Sequence, residues 1–275
     1  MKLITGLQSF VTSAILCLLL SPLPVFAHDY WFEPDNFFPM ANNSVTLRMQ
    51  LGTNLVIEEE RPYQLNRTVS FKLFSAKSIF DLRDGSADGA VPVAKFSVGS
   101  PGTYLVGMER NPVTNILEAE KFREYLAEEG LTKIIEERKR RGESSKFGYE
   151  RYSRYIKSLL QVGGRNDSTY KRSLGFKLEI IPLENPYTKT SGKSLKVKIL
   201  FDGKALADTS VAAYNRSDGK VTIQKMQTDR NGIVKVRLEN SGFWLVRLVK
   251  MERCRRDCEE IDWESYWASL SFAIR

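Results

Sequence analysis

The chain has 275 residues, 42% of them hydrophobic and 11% aromatic, with a formal net charge of +8 and one histidine. That composition supports a real core and excludes a disordered or fibrous chain. The basic excess is dispersed, and its densest run, EERKRRGE at 136–143, interleaves glutamates, so it reads as a solvated helix face and not as a nucleic-acid surface.

Residues 1–27 predict a secretory signal peptide. Lys2 supplies the positive start, VTSAILCLLL the short apolar stretch, and SPLPVFA the breakers, with Val25 and Ala27 at the positions that signal peptidase reads. Leu16 before Cys17 does not fit a lipoprotein signal. Cleavage is expected between Ala27 and His28, placing a mature, non-membrane-spanning protein beyond the inner membrane in the periplasm, since no later segment is apolar enough to span as a helix.

From about 44 to 110, the runs SVTLRMQL, TVSFKLF, VPVAKFSV and GTYLVGME alternate apolar with polar residues between turn-forming segments. They predict an N-terminal β-sandwich over 28–112, with SVGSPGTYLVGME as its last hairpin. From 113 to 165 the period changes to that of helices. EAEKFREYLAEEG ends at Gly130, and LTKIIEERKRRG has Thr132 as its cap and ends at Gly142. YERYSRYIKSLLQVGG places Tyr152, Tyr155, Ile156, Leu159 and Leu160 on one helical face, giving an insert of about three helices. Over 175–275 short strands return, with DRNG as a tight turn and DWESYWASLSFAIR as the closing strand. The predicted fold is thus mainly β: two antiparallel sandwiches, immunoglobulin-like or transthyretin-like, flanking a helical insert. Trp263 and Trp267 are expected to be packing residues.

Once Cys17 leaves with the signal peptide, Cys254 and Cys258 remain. An even pair, four apart, in an oxidising compartment predicts a disulfide closing a small loop, in preference to a zinc site.

The ordered set AHDYWFEP, AEKFREYLAEEGL, RGES, RYSRYIKSLL, LFDGKALA, TDRNGIVKVRL, GFWLVRLVKM and DWESYWASLSF resembles a family of exported bacterial proteins of unknown function associated with nickel uptake. The resemblance covers nearly all of 27–275. It implies β-sandwich modules, the second similar to the carboxypeptidase regulatory fold, and a role in nickel or cobalt uptake beside a membrane metal transporter. The resemblance also implies that members often carry a histidine in the strand that here reads WLVRLVKM, where Lys250 stands instead; with one histidine in the sequence, a two-histidine site is impossible in this chain.

Cleavage before His28 would put an α-amine and an imidazole on one residue. Those two nitrogens can close a six-membered chelate on a divalent ion such as Ni, Co, Cu or Zn, and must be deprotonated to do so. Asp29 and Glu33 are the local carboxylate candidates, although a strand points alternate side chains to opposite faces. The aromatic block DYWF is expected to anchor this terminus in the fold. No Ser–His–Asp arrangement or G-x-S-x-G elbow is present, and no organic cofactor is implied, so the expectation is a non-enzyme. The leading reading is an exported accessory protein that binds a divalent transition metal through His28. The alternative is a non-catalytic envelope interaction module in which His28 is incidental, and a copper-dependent oxidative enzyme would want the second imidazole that is missing.

Overall fold

The computed structural model describes residues 28–275; the predicted signal peptide, with Ala27 of its cleavage junction, lies outside the described residues. In chain order the first half forms β1 (Asp29–Pro34), β2 (Ser44–Thr53), β3 (Val56–Glu60), β4 (Thr68–Phe74), β5 (Ile79–Asp81), β6 (Ala94–Ser97) and β7 (Gly102–Leu117). Helices α1 (Ala119–Glu128) and α2 (Thr132–Arg140) follow. The second half forms β8 (Gly148–Val162), β9 (Leu178–Pro182), β10 (Lys193–Phe201), β11 (Lys204–Ala205), β12 (Ser210–Ser217), β13 (Lys220–Gln227), β14 (Ile233–Leu238), β15 (Gly242–Arg253) and β16 (Trp263–Ile274).

The fold is mainly β, as the alternating runs predict. Its centre is one eight-stranded sheet in the order β13-β12-β15-β16-β8-β7-β4-β5, which draws strands from both predicted sandwiches. Two four-stranded sheets pack on it, one built from β1, β2, β3 and β6, the other from β9, β10, β11 and β14. β8 shows why they lie on opposite faces: Ile156, Leu160 and Val162 enter the core with Phe32, Leu47 and Phe71, whereas Tyr155 and Leu159 enter the core with Leu178, Val197 and Phe272.

The predicted third helix is therefore a strand, and the helical insert reduces to α1 and α2. The error has a physical source. β8 is buried on both faces from Tyr155 to Val162, so its apolar residues lose the period-two alternation, and Tyr152, Tyr155, Ile156, Leu159 and Leu160 fall at the spacing of a helix face. Its partner β16 runs parallel to it, so the tail is a strand as expected but sits inside the sheet and does not close an edge. The predicted hairpin at GSPG is also corrected: β6 pairs with β2 and β7 with β4 and β8, so this turn carries the chain from one sheet to another. The DRNG turn forms between β13 and β14, with the Asp229 carboxylate accepting from the backbone N–H groups of Asn231 and Ile233.

Both expected helix stops fall where the glycines are. Gly130, at φ 68°, takes the left-handed conformation after α1, and the following N–H of Leu131 donates to the Leu126 carbonyl at 2.8 Å. Thr132 begins α2 and does not cap it. Phe122, Tyr125, Leu126 and Ile134 lay this helical pair over Val249, Met251, Trp263 and Trp267 of β15 and β16. β1 crosses the same face beside them, held by the Ser269 and Ser271 hydroxyls, which donate to the carbonyls of Tyr30 and Phe32. Trp31 and Phe32 are both 0% exposed. Burying each contributes roughly 1.5–3 kcal/mol, which anchors this end of the chain.

Candidate functional site

β1 points Tyr30 and Phe32 into one core and Trp31 into a separate cluster with Tyr214, Phe243 and Leu245, so the strand reads both of its faces. His28, just before it, follows Tyr30 and lines the same cavity. Its Nε2 lies 2.7 Å from an oxygen of Glu58, with the two side chains 32% and 39% exposed.

Glu58 reaches His28 through a β-bulge. In the β2–β3 pair, Leu51 faces Glu59 and Gly52 faces Ile57, which leaves Glu58 as the extra residue. A bulge of this kind re-aims one side chain out of the ladder. Gly52 makes it possible, because a Cβ there would lie 1.9 Å from the Val56 carbonyl oxygen, closer than any backbone can yield.

The two carboxylates that chain proximity nominates go elsewhere. Asp29 turns to the opposite face and pairs with the buried guanidinium of Arg247 on β15, which also forms two hydrogen bonds with Glu129 after α1. One guanidinium serves two buried carboxylates, and Glu129 takes the bidentate share. Burial, reinforced by the Glu129 charge and only partly offset by Arg247, pushes the Asp29 carboxyl up to about 6. Burial opposes the charge of Arg247, yet its two carboxylate partners hold it protonated well above the ordinary arginine value. Glu33 accepts from the Trp31 indole N–H at 3.1 Å and from Arg216. Lys250 projects from the other face of β15 than Arg247, with its ammonium 5.9 Å from the centre of the Phe201 ring. Of the expected local set, the structure keeps His28 at an open site and commits Asp29 and Glu33 to arginines.

Beside His28 lies a cavity of about 250 Å³ walled by Tyr30, Arg61, Glu150, Tyr152, Arg154 and Trp267. Trp267 packs as expected, stacked on Tyr125 at 5.8 Å, but it also faces this cavity. Glu150 is buried, accepts from the Tyr125 hydroxyl at 2.9 Å and from the Ser265 hydroxyl, and has its carboxyl raised by burial against those hydrogen bonds. A carboxyl whose folded-state pKa lies above its unfolded value contributes stability that is complete below the unfolded value and lost as pH rises through the folded one. Relative to Glu150→Gln, the wild-type chain should therefore lose unfolding free energy over the pH range that begins at the ordinary glutamate value of about 4 and ends at the raised folded-state value. Guanidinium titrations across that range check this, and a wild-type curve parallel to that of the variant would contradict it.

Cys254 and Cys258 form the expected disulfide in the loop between β15 and β16, with Cα atoms 5.7 Å apart. No group of three or more His, Cys, Asp or Glu side chains among the described residues is placed to hold a metal ion by itself. No helix among them is long and apolar enough to cross a membrane. The residues that proximity along the chain misses are Glu58, Arg154 and Arg247. The signal for Glu58 was a glycine inside a β-run facing the glutamate-rich VIEEE segment; Arg247 had none, since a lone arginine in an apolar strand does not name its partners.

A family model described as a domain of unknown function (DUF4198) matches residues 25–252. No curated protein matches the chain. Among solved structures, the tetra-tandem repeat in the extending region of a large adhesion protein aligns at 10% identity with a TM-score of 0.23, covering 90% of this chain and 50% of that one. The three N-terminal domains of the Highly Immunogenic Outer Capsid protein (Hoc) of bacteriophage RB49 align at 10% identity with a TM-score of 0.19, covering 90% and 59%. The chain thus spans between half and three-fifths of the length of these structures, and alignments this loose carry no functional argument.

Proposed function

From the premise that the chain belongs to the DUF4198 family, a domain of unknown function, we propose that it is an exported accessory protein that captures a divalent transition metal at its mature N-terminus. Nickel or cobalt is the proposed cargo, passed to a membrane transporter, with copper and zinc as competitors.

The observation that supports this reading is the bulged Glu58 carboxylate at the Nε2 edge of His28. A carboxylate there draws the ring proton to Nε2 and leaves Nδ1 as a lone-pair donor. Nδ1 is the nitrogen that, with the α-amine of the same residue, closes a six-membered chelate. Glu58 thus acts as an orienting partner, and the donor set is the two nitrogens of one residue plus exchangeable water. Arg61 and Arg154 disfavour a cation on their side of the cavity, which leaves the His28 nitrogens as the place that holds the ion.

The test is a calorimetric titration of protein beginning at His28 with nickel, cobalt, copper and zinc. Adding a methionine before His28 keeps the ring but turns the amine into an amide, a far poorer donor at neutral pH. That extension should weaken binding nearly as much as His28→Ala, and Glu58→Gln should weaken it by about 10- to 100-fold. Equal affinity in the extended and correctly begun forms would remove the amine from the site and end this reading.

A further inference from the structure

Arg154, in the wall of the cavity beside His28, meets a like charge from the neighbouring strand. Arg110 on β7 and Arg154 on β8 are directly opposed in the antiparallel ladder. Like charges in that relation repel and destabilise the sheet. Both guanidiniums lie over one ring, that of Tyr30, at 5.3 Å and 4.2 Å from its centre. Arg154 is further enclosed by the rings of Trp267 at 4.7 Å and Tyr152 at 5.2 Å.

Their neighbours show what is unusual here. Arg151, on the opposite face of β8, pairs with Glu264 at 2.7 Å. Arg110 donates to the neutral Gln64 amide oxygen. Among the described residues no carboxylate lies within ion-pair distance of Arg110 or Arg154, and the Arg154 guanidinium makes no side-chain hydrogen bond. Glu150, the acidic residue in the cavity wall, is turned to Tyr125 and Ser265. Arg61, a third guanidinium in the wall, spends its terminal nitrogen on Glu59 and keeps a buried Nε–H with no acceptor. Burial lowers the pKa of Arg110 to about 10, opposed by Tyr30, and the charges of Arg154, Arg67 and Arg61 add to the lowering.

We propose that this cavity binds a small organic carboxylate, with the carboxylate group on the Arg154 guanidinium and the body of the ligand against Tyr30, Tyr152 and Trp267. The planar fork of arginine matches the two oxygens of a carboxylate, and stacking on aromatic rings holds that fork in place before the ligand arrives. A bound anion also removes the Arg110–Arg154 repulsion, so part of the binding free energy comes from relief of a cost already present in the empty protein. The cavity, at about 250 Å³, is below the range of drug-sized sites, which limits the ligand to a small molecule. Its ring-lined wall favours a carboxylate with an apolar body over a hydrated inorganic anion. This site stands whether or not His28 binds a metal.

The experiment uses metal-free protein beginning at His28, titrated calorimetrically with benzoate, succinate, the neutral isostere benzamide and inorganic phosphate. Benzoate or succinate should bind with a Kd below about 1 mM, and benzamide should be at least about tenfold weaker than benzoate. Arg154→Gln should cost at least about tenfold in carboxylate affinity, while the folded protein is no less heat-stable, because the opposed charges are gone. Glu58→Gln, which weakens the metal site and lies outside the lining of this cavity, should not weaken carboxylate binding, which separates this site from the metal site. Arg61→Gln, at a more peripheral position, should also weaken carboxylate binding and serves if the Arg154 variant does not fold. Binding of neither carboxylate below about 1 mM, equal affinity for benzoate and benzamide, tighter binding of phosphate than of either carboxylate, or benzoate affinity unchanged in Arg154→Gln would each overturn the proposal.

Discussion

Arg247→Ala should destabilise the protein by about 3–5 kcal/mol, because it leaves Asp29 and Glu129 buried together with no counter-charge. The two acids come from distant parts of the chain, one at the start of β1 and the other just after α1, and the guanidinium on β15 joins both to the large sheet. Its loss also uncovers one side of Trp267, whose ring centre lies 5.5 Å from the Arg247 guanidinium. Arg247→Lys should fall between, since a single ammonium cannot reproduce the bidentate contact with Glu129 and reach Asp29 as well. Equilibrium unfolding in guanidinium measures the difference. A loss below about 1 kcal/mol in Arg247→Ala would mean that water reaches the pair and that the network has the small worth of a surface bridge. Metal affinity at His28 should drop in this variant too, since the freed start of β1 no longer holds His28 against Glu58.

Lys157→Met should cost a similar amount, again about 3–5 kcal/mol. Lys157 and Glu179 are each 1% exposed, and their charged atoms are 3.0 Å apart. The ammonium donates further to the Ile180 carbonyl at 3.0 Å, while Glu179 accepts from the Ser173 hydroxyl and from the Leu174 N–H, both at 2.6 Å. Burial draws the Lys157 pKa down against the pull of Glu179. Removing only the lysine therefore leaves a carboxylate inside the core between β8 and β9. Making Glu179→Met as well should recover at least about 1 kcal/mol of the loss, though not all of it, because the Leu174 N–H then lacks its acceptor. A double-mutant cycle reads this coupling, and additive losses would show that the pair does not act as a unit.

His28 is nominated by its singularity and by its place beside a predicted cleavage signal, and DYWF anchors β1, since its aromatics bury on both faces of the strand. Asp29 and Glu33 were nominated because they are near in the chain. Nearness in a strand is a poor guide to what surrounds a side chain, because neighbouring strands supply most of the contacts. Glu58, which does face His28, is thirty residues away and arrives by a bulge at Gly52. Arg154 was hidden inside a segment whose period suggested a helix. Read as a strand, the same residues put Tyr152 and Arg154 on the cavity face and Tyr155 and Lys157 on the other.

What the sequence determined by itself is what depends on short-range chemistry. The alternating runs specify strands, Gly130 and Gly142 stop the two helices, DRNG turns, and Cys254 and Cys258 are close enough along the chain to bond. Tertiary structure alone decided the rest. It merged strands of both halves into one sheet, made β8 a central strand in place of a helix, turned Asp29 to Arg247, and set Arg110 opposite Arg154. The reason is physical: a strand satisfies its backbone and buries its faces only against other strands, so its neighbours and the partners of its charged side chains are fixed by a competition among distant segments that no local pattern records.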